Sequence, residues 1–434
     1  MASRKRKDDY AADPMRHALD VITAMSKSDK VTGFSATTIQ QMQDEWRWID
    51  FIDPRTNLPC LLLEWLWGSR GMLAGRLLKI EAEEGVGKSS YLNLQYGMAQ
   101  RTSNAWCVHA ESEGATHPAD FIASFGCDPS KIITLRLAKR SIDECFNKLD
   151  WATYCIRKQK KNEEDTKIID PQMAFPIVAG VDSVSGFGTA ANMEDDDTDL
   201  ETGGGGLGLH SRFLSQWFRD RWSLLEQRGV LLATIAQQRE KINTGPTFPG
   251  GPPKQSGPTT LAARPLNYHA SYRLEMKSTP LRIPETPQQI GEVVTLSVTK
   301  NKLSPKGKKA VVNLIWNYGF DLTTATIEKL AALSPIMLKS GSVFSVAAES
   351  GGWLNVPALF DKKLRYSVES WPQVCYDTLC NLYNRQDLLM EIREALAIRG
   401  FGFDFERNYQ LSPAEVEDHT QTPDEAAESV ATEA

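Results

Sequence analysis

The sequence predicts an α/β protein: a mostly parallel, twisted sheet with helices on both faces, preceded by a small helical segment and followed by a small α+β domain. Three observations carry this. Short apolar runs of strand length alternate with stretches of helical periodicity, the pattern of a parallel sheet covered on both sides. A glycine-bearing turn, Ala82-Glu83-Glu84-Gly85-Val86-Gly87-Lys88-Ser89, joins one such strand to one such helix. Acids stand at the tips of two further apolar strands, at Glu111 and Asp182.

The elements follow in order. Residues 1–12 are charged, and Asp13-Pro14 opens a helical pattern to about Ser26, with proline in the first turn. Residues 31–75 are mixed and rich in aromatics; Trp46, Trp48, Phe51, Trp65 and Trp67 read as core or interface packing rather than as a base-stacking platform. Arg76–Glu81 reads as a strand, Ser89–Gln100 as a helix and Ala105–Ala110 as a strand. Phe175–Val184 is a buried strand, Ser211–Gln227 an amphipathic helix and Val230–Ala236 a second buried strand. Residues 156–172 read as a solvated, charged insertion. Two stretches break the rhythm: 191–208, with Glu-Asp-Asp-Asp and four consecutive glycines, and 243–260, with five prolines and four glycines. Loops of that length are usually functional or disordered, and each follows a buried strand, where ligand sites of open α/β sheets lie.

Composition narrows the class. The chain has 434 residues, 41% apolar and 24% charged, which fits a globular protein with appendages. Its best apolar run, Cys60–Trp67, is broken by Glu64 and falls far short of the roughly 20 residues a membrane helix needs. The basic start lacks an apolar core, so it is not a signal peptide. Seven cysteines without a C-x-x-C pair fit a reducing compartment, and the expected location is the cytoplasm. The net charge of −6 looks wrong for a nucleic-acid binder. Seven acids, however, fall in residues 413–434, which hold no Lys or Arg, so the remaining chain is nearly neutral and local basic patches can still bind phosphate.

The turn at 82–89 has the strand–turn–helix context of a phosphate-binding loop. There Glu83, Glu84, Gly85, Val86, Gly87, Ser89 and Ser90 would surround the phosphates of ATP, Lys88 would reach the β- and γ-phosphates, and the Ser89 hydroxyl would hold Mg²⁺. Ala82 stands where the usual pattern has glycine. A second metal-facing acid is expected at a strand tip, and Asp182, followed by Ser183, fits; a helix N-cap would also place an acid there. Glu111 fits the carboxylate that orients or deprotonates water, with Glu113 a rival and a capping role the alternative. Gln237, followed by Gln238, ends a third strand, where an uncharged amide can sense a γ-phosphate and move the loop behind it.

Taken in order, these residues resemble the bacterial RecA recombinase family over about residues 60–320. Gly75–Ile80 leads into the phosphate loop, Ala110-Glu111 matches the catalytic glutamate strand, and Val181-Asp182-Ser183 matches the Walker B strand. Gln237-Gln238-Arg239-Glu240-Lys241-Ile242 resembles the opening of the second DNA-binding loop. His269–Leu274 resembles the strand after it, and Thr299-Lys300-Asn301-Lys302 the stretch that reaches ATP on a neighbouring subunit. Ala82, His109 in place of an acid, and the proline-rich second loop mark a divergent member, and a phage-encoded origin is one expectation that follows.

The resemblance implies a RecA-type ATPase core with ATP and Mg²⁺ as cofactors, Lys88, Glu111, Gln237, Lys300 and Lys302 acting on the nucleotide, and a homo-oligomeric helical filament on single-stranded DNA that pairs with homologous duplex, without a membrane partner. It also implies an N-terminal oligomerisation segment (1–55), a core (56–320) with loops near 191–208 and 238–260, a C-terminal domain (321–411) and an acidic tail (412–434). Lys300 and Lys302 stand two apart, so on one strand both ammonium groups leave the same face; a solvated basic edge strand is the plainer reading. Arg212, Ser215 and Arg219 form one helical stripe suited to a DNA backbone, or an ordinary solvated face. Arg239 and Lys241 with Phe248 combine phosphate contacts with an apolar wedge, as single-strand binding needs. A ring-shaped DNA helicase and a non-hydrolysing DNA-coating filament remain alternatives.

Residues 413–434 have no aromatics and only Val416 and Val430 as large aliphatics, too little to bury. Their acids should compete with DNA phosphates for basic surface, less so as salt and Mg²⁺ screen them. Deleting 413–434 is therefore expected to speed association with duplex DNA at low salt and low Mg²⁺ and to change little when both are high. Parallel rate curves for the full and truncated chains across a salt series would show that the tail does not compete.

Overall fold

The computed structural model describes residues 47–112, 118–161, 165–168, 175–188, 206–238, 263–283 and 286–398. The expected helix at 13–26, Trp46, Glu113, Arg239, Lys241, Phe248 and the acidic tail lie outside these residues. The elements used below are, in chain order, helix α1 (Leu61–Trp67), strand β1 (Leu77–Ala82), helix α2 (Lys88–Ser103), and strands β2 (Cys107–Glu111) and β3 (Ile132–Leu135). Helix α3 (Ile142–Arg157), strand β4 (Ile177–Asp182), helix α4 (Gly206–Gln227), strand β5 (Val230–Gln237), helix α5 (Ala263–His269) and strand β6 (Tyr272–Arg282) follow. Strands β7 (Gln289–Asn301) and β8 (Lys309–Ile315) and helices α6 (Leu322–Leu333), α7 (Trp371–Tyr383) and α8 (Gln386–Ala395) complete the set.

The described chain divides into two compact units, the first of 47–55, 72–277 and 317–319, the second of 56–71, 278–316 and 320–398. In the first, strands pair in the order β6-β1-β5-β4-β2-β3, and every pair is parallel. Alternation along β4 explains why helices cover both faces. Ile177, Ala179 and Val181 enter a core with Phe146 and Leu149 of α3 and Leu214, Trp217 and Phe218 of α4. Gly180 faces the other way, against Leu92 and Tyr96 of α2.

Three readings change in detail. Helix α4 starts at Gly206, so the last residues of the stretch 191–208 are helical; Gly206 and Gly208 sit in the first turn, where backbone N–H groups lack intrahelical acceptors anyway. The insertion expected over 156–172 starts two residues too early. Ile156 and Arg157 belong to α3, and buried Arg157 donates to the carbonyl oxygens of Arg228, at 2.8 Å, and Phe175. Beyond it, Lys158–Lys161 and Asp165–Ile168 pair as an antiparallel hairpin.

The second unit is discontinuous in sequence because α1 and the residues just before it supply its core: Leu58 and, on α1, Leu61 pack with Ile327 and Leu330 of α6, Leu379 and Leu382 of α7 and Leu389 and Ile392 of α8. Strands β7 and β8 form an antiparallel pair. Helix α6 begins where Asp321 caps it, accepting from the Thr324 amide at 3.1 Å. Glu64 of α1 and Arg393 of α8, each 1% exposed, form a two-pronged ion pair at 2.8 and 2.9 Å. Of the aromatic cluster, Phe51 in the first unit and Trp67 in the second are buried, as a packing role requires. Trp65 instead carries the Lys329 ammonium 3.8 Å and the Lys308 ammonium 5.3 Å from its ring centre, and burial pushes both lysines down.

Losing one partner of a buried ion pair strands the other charge, at a cost of about 3–5 kcal/mol. Arg393→Met is expected to lose stability of that order in urea denaturation, and Glu64→Leu in the same chain to restore most of it. If the double variant is no more stable than the single, the loss came from packing rather than from the stranded carboxylate.

Candidate functional site

Four neighbouring parallel strands, β1, β5, β4 and β2, bring Ala82, Gln237, Asp182 and Glu111 to their carboxyl ends. Ala82 pairs with Gln237 and Asp182 with Glu111. The ladder runs past the strands: the Ser112 amide donates to the Asp182 carbonyl at 2.7 Å, and the Ser183 amide to the Ser112 hydroxyl at 3.1 Å. The Asp182–Ser183 peptide is cis. The Ser183 and Ser185 hydroxyls lie 3.1 Å apart, and Ser185 accepts from the Gln237 amide at 3.4 Å. A run of small hydroxyl residues thus ties the ends of β2, β4 and β5 together.

From β1 the chain enters the turn at 82–89, the expected phosphate loop. Gly85 and Gly87 have φ of 77° and 90°, backbone that other residues rarely adopt, and nothing lies within 4 Å of where a Gly85 side chain would start. Glu83, Glu84 and Gly85 are exposed, Gly87, Lys88 and Ser89 half-buried, and Val86 and Ser90 buried. Helix α2 starts with Gly87 as its N-cap and no side-chain cap, so its first-turn N–H groups face the loop, the arrangement that receives a phosphate. The Lys88 ammonium donates to the Glu83 carbonyl across the loop, and the Ser89 hydroxyl donates to an Asp182 carboxylate oxygen. The Gln237 side-chain amide reaches Glu84 at 3.5 Å.

The residues present fit a magnesium nucleotide. Among the described residues no three His, Cys, Asp or Glu side chains gather as a metal set. A metal here would be held by Ser89 and Asp182 together with phosphate oxygens, the usual manner for Mg²⁺.

The other expected residues fall elsewhere. Arg212 and Arg219 are exposed on α4, but Ser215 is half-buried and its hydroxyl donates to the Ser211 carbonyl at 2.6 Å, turning its proton back into the helix. Lys300 and Lys302 do not share a strand face: β7 ends at Asn301, and Lys302 is exposed in the bend beyond. Asn301 causes the bend. Its side-chain oxygen accepts from the Leu303 and Ser304 amides at 2.9 and 3.2 Å, while its nitrogen donates to the Trp67 carbonyl at 2.7 Å.

Sequence reading missed the groups around the site. His109, two residues before Glu111, is buried with its Nδ1 3.0 Å from the Tyr96 hydroxyl of α2. Lys79, fully buried on β1, contacts Glu81 and donates to the Asn267 side chain of α5 at 2.8 Å; Arg273 of β6 binds Glu81 at 2.8 and 3.2 Å. Burial pushes the Glu81 carboxyl up, but Lys79 and Arg273 outweigh it and hold it below the usual range; burial pushes the Lys79 ammonium down. Polar residues alternating on a strand were visible, but nothing local marks partners nearly 200 positions away.

A parallel α/β sheet with a phosphate loop on one strand and acids at the tips of two others defines a P-loop nucleotide-binding fold. The RecA N-terminal domain family matches residues 160–321. Protein RecA of Lactiplantibacillus pentosus is 33% identical over 336 residues, 77% of each chain. Protein RecA of Bifidobacterium longum is 25% identical over 352 residues, covering 80% of this chain and 76% of its own. Protein RecA of Thermus thermophilus is 26% identical over 285 residues, covering 66% and 73%. The chain belongs to the RecA family. No helix among the described residues is long and apolar enough to cross a membrane.

Close approach of α2 to β4 depends on Gly180: a side chain there would start 2.0 Å from the Tyr96 hydroxyl and 2.7 Å from Leu92. Gly180→Ala is expected to cost about 1–3 kcal/mol by overpacking and to weaken nucleotide binding, because α2 carries Lys88 and Ser89 and β4 carries Asp182. Unchanged denaturation and nucleotide affinity would show that the helix yields without disturbing the site.

Proposed function

We propose that this chain is an ATP-dependent recombinase that forms filaments on single-stranded DNA and promotes homologous pairing and strand exchange in the cytoplasm. The observation that carries this reading is the convergence of the phosphate loop, Asp182, Glu111 and Gln237 on four adjacent strand ends, in a chain of the RecA family. In this reading the α2 amides and Lys88 hold the phosphates, and Ser89 and Asp182 hold Mg²⁺, which when bound neutralises charge on the phosphate oxygens. Glu111, held level with Asp182, orients water and takes its proton. Gln237, in contact with the phosphate loop, senses the nucleotide and passes its state to residues 238–260.

Lys300 and Lys302 reach the nucleotide of a neighbouring copy, each from its own side of the Asn301 bend. Arg212 and Arg219, with Arg239, Lys241 and Phe248, contact DNA. Residues 1–55 join one copy to the next, 56–320 form the core, 321–411 an accessory domain, and the acids of 412–434 compete with DNA.

The test is strand exchange between matched single-stranded and duplex DNA with ATP and Mg²⁺, alongside DNA-stimulated ATP hydrolysis. The wild type is expected to perform both and Lys88→Ala neither. Glu111→Gln is expected to bind ATP and DNA normally while turnover falls by about 10²–10⁴-fold, the span of general-base catalysis. Hydrolysis with duplex unwinding and no exchange would identify a helicase instead; filaments without hydrolysis would identify a DNA-coating protein.

A further inference from the structure

Each of the two acids at the site is followed directly by a serine: Glu111 by Ser112 and Asp182 by Ser183. The β2–β4 ladder ends at the pair of acids. Beyond it, Ser112 grips both polar groups of the peptide unit that follows Asp182. Its amide donates to the Asp182 carbonyl at 2.7 Å, and its hydroxyl accepts from the Ser183 amide at 3.1 Å. Ser112 and Ser183 are both buried, so these bonds are shielded from water. The chain beyond Asp182 is shaped around the hydroxyl. The Gly186 amide donates to the Ser183 carbonyl at 3.1 Å, which brings Gly186 back against Ser112. A side chain at Gly186 would start 2.2 Å from the Ser112 hydroxyl oxygen and 2.9 Å from its Cβ. Gly186 does not adopt the left-handed backbone that favours glycine, so what the glycine supplies here is room. A buried amide left without an acceptor is costly, so the Ser183 end of β4 keeps its place only while the hydroxyl is there to receive it.

We infer that Ser112 is a positioning residue for ATP hydrolysis: in the room left by Gly186, its amide and hydroxyl lock the end of β2 to the end of β4 and so hold Glu111 where it acts on water. The inference rests on the recombinase reading, which makes Glu111 the base. A base that takes a proton from water tolerates little displacement, since a shift of about 1 Å can cost on the order of 10²-fold in rate. Nucleotide binding depends on Ser112 far less. The groups that hold phosphate stand on α2, and the Asp182 carboxylate keeps a second anchor in the Ser89 hydroxyl. Loss of the clamp therefore falls on turnover, and it falls there through Glu111.

The experiment measures kcat and the KM for ATP of the full chain, with Mg²⁺ and a poly(dT) oligonucleotide, in the wild type, Ser112→Ala, Glu111→Gln and the double variant. Ser112→Ala is expected to lower kcat by about 10- to 10²-fold and to leave KM within about twofold, the split left by an interaction that matters only in the transition state. In the Glu111→Gln background the same change is expected to slow turnover by less than about twofold, because nothing is left for Ser112 to position. Wild-type kcat in Ser112→Ala, or the same fold loss in both backgrounds, overturns the inference. Gly186→Ala crowds the hydroxyl without removing it and serves if Ser112→Ala does not fold: it should lose kcat at unchanged KM, and wild-type kcat there overturns the inference as well. The clamp is also read without hydrolysis. The Ser183 amide should exchange its hydrogen slowly in the wild type and several-fold faster in Ser112→Ala or Gly186→Ala, and equal exchange overturns the clamp. A wild type that does not hydrolyse ATP would instead sink the recombinase reading, leaving the Ser183 exchange to judge the clamp.

Discussion

The register of β4 against its neighbours is the constraint on which the site depends. Val181 lies opposite Ala110 on one side and Thr234 on the other, so Asp182 stands level with Glu111 and one strand away from the end of β5. Side chains alternate along a strand, so a slip of one residue would send the Asp182 carboxylate to the opposite face and separate it from the Ser89 hydroxyl. Such a slip would also carry Ile177, Ala179 and Val181 out of the core they share with α3 and α4. Hydrophobic burial thus fixes the register, and the register fixes the site. The serines beyond the strand ends hold the same alignment where ladder pairing has stopped.

The second element that must be fixed is α2, which presents amides, Lys88 and Ser89 as one rigid group. It is buried from Ser90 through Gln100, so it cannot shift without moving the sheet beneath it. Its fit depends on an absent side chain at Gly180 and on polar contacts such as Tyr96 with His109. These polar groups are costly to bury unpaired, and each pairing specifies one position of the helix over the strands.

This explains which parts could be read from the sequence. Strands β4 and β5 are apolar and central, so their continuous runs located them within a few residues, and the turn at 82–89 located the end of β1 and the start of α2. Strand β3 escaped: it has four residues, none of them buried, with no pattern to detect. Helix α3 escaped as well, and Arg157 was misread as solvated, because an arginine gives no local sign that two carbonyl oxygens, one of them 71 positions away, will receive it. Asp182 and Glu111 were legible because an acid ending an apolar run is conspicuous. Ser112, Ser185 and Gly180 were not, because a small residue beside a strand end has many uses, and only the packed structure selects one. The shared strand face of Lys300 and Lys302 failed for a specific reason: continuing β7 past Asn301 ignored the capacity of asparagine to bond the amides two and three residues ahead and turn the chain.

A division of labour follows from these contacts. Groups that must meet within hydrogen-bond reach stand on the ends of parallel strands whose register a dry core enforces. The cations suited to a polymeric anion lie where precise placement matters less: Arg212 and Arg219 stand on the open face of α4. Phosphate contacts along a backbone tolerate that looseness, because they act through charge more than through fixed geometry. The net charge of −6 is no obstacle to this, since a binding surface depends on where its cations stand rather than on their total. Lys79 is the exception that tests the rule. It is a cation fully buried on β1, where Glu81 and the Asn267 side chain of α5 receive it and a precise position is enforced by its partners.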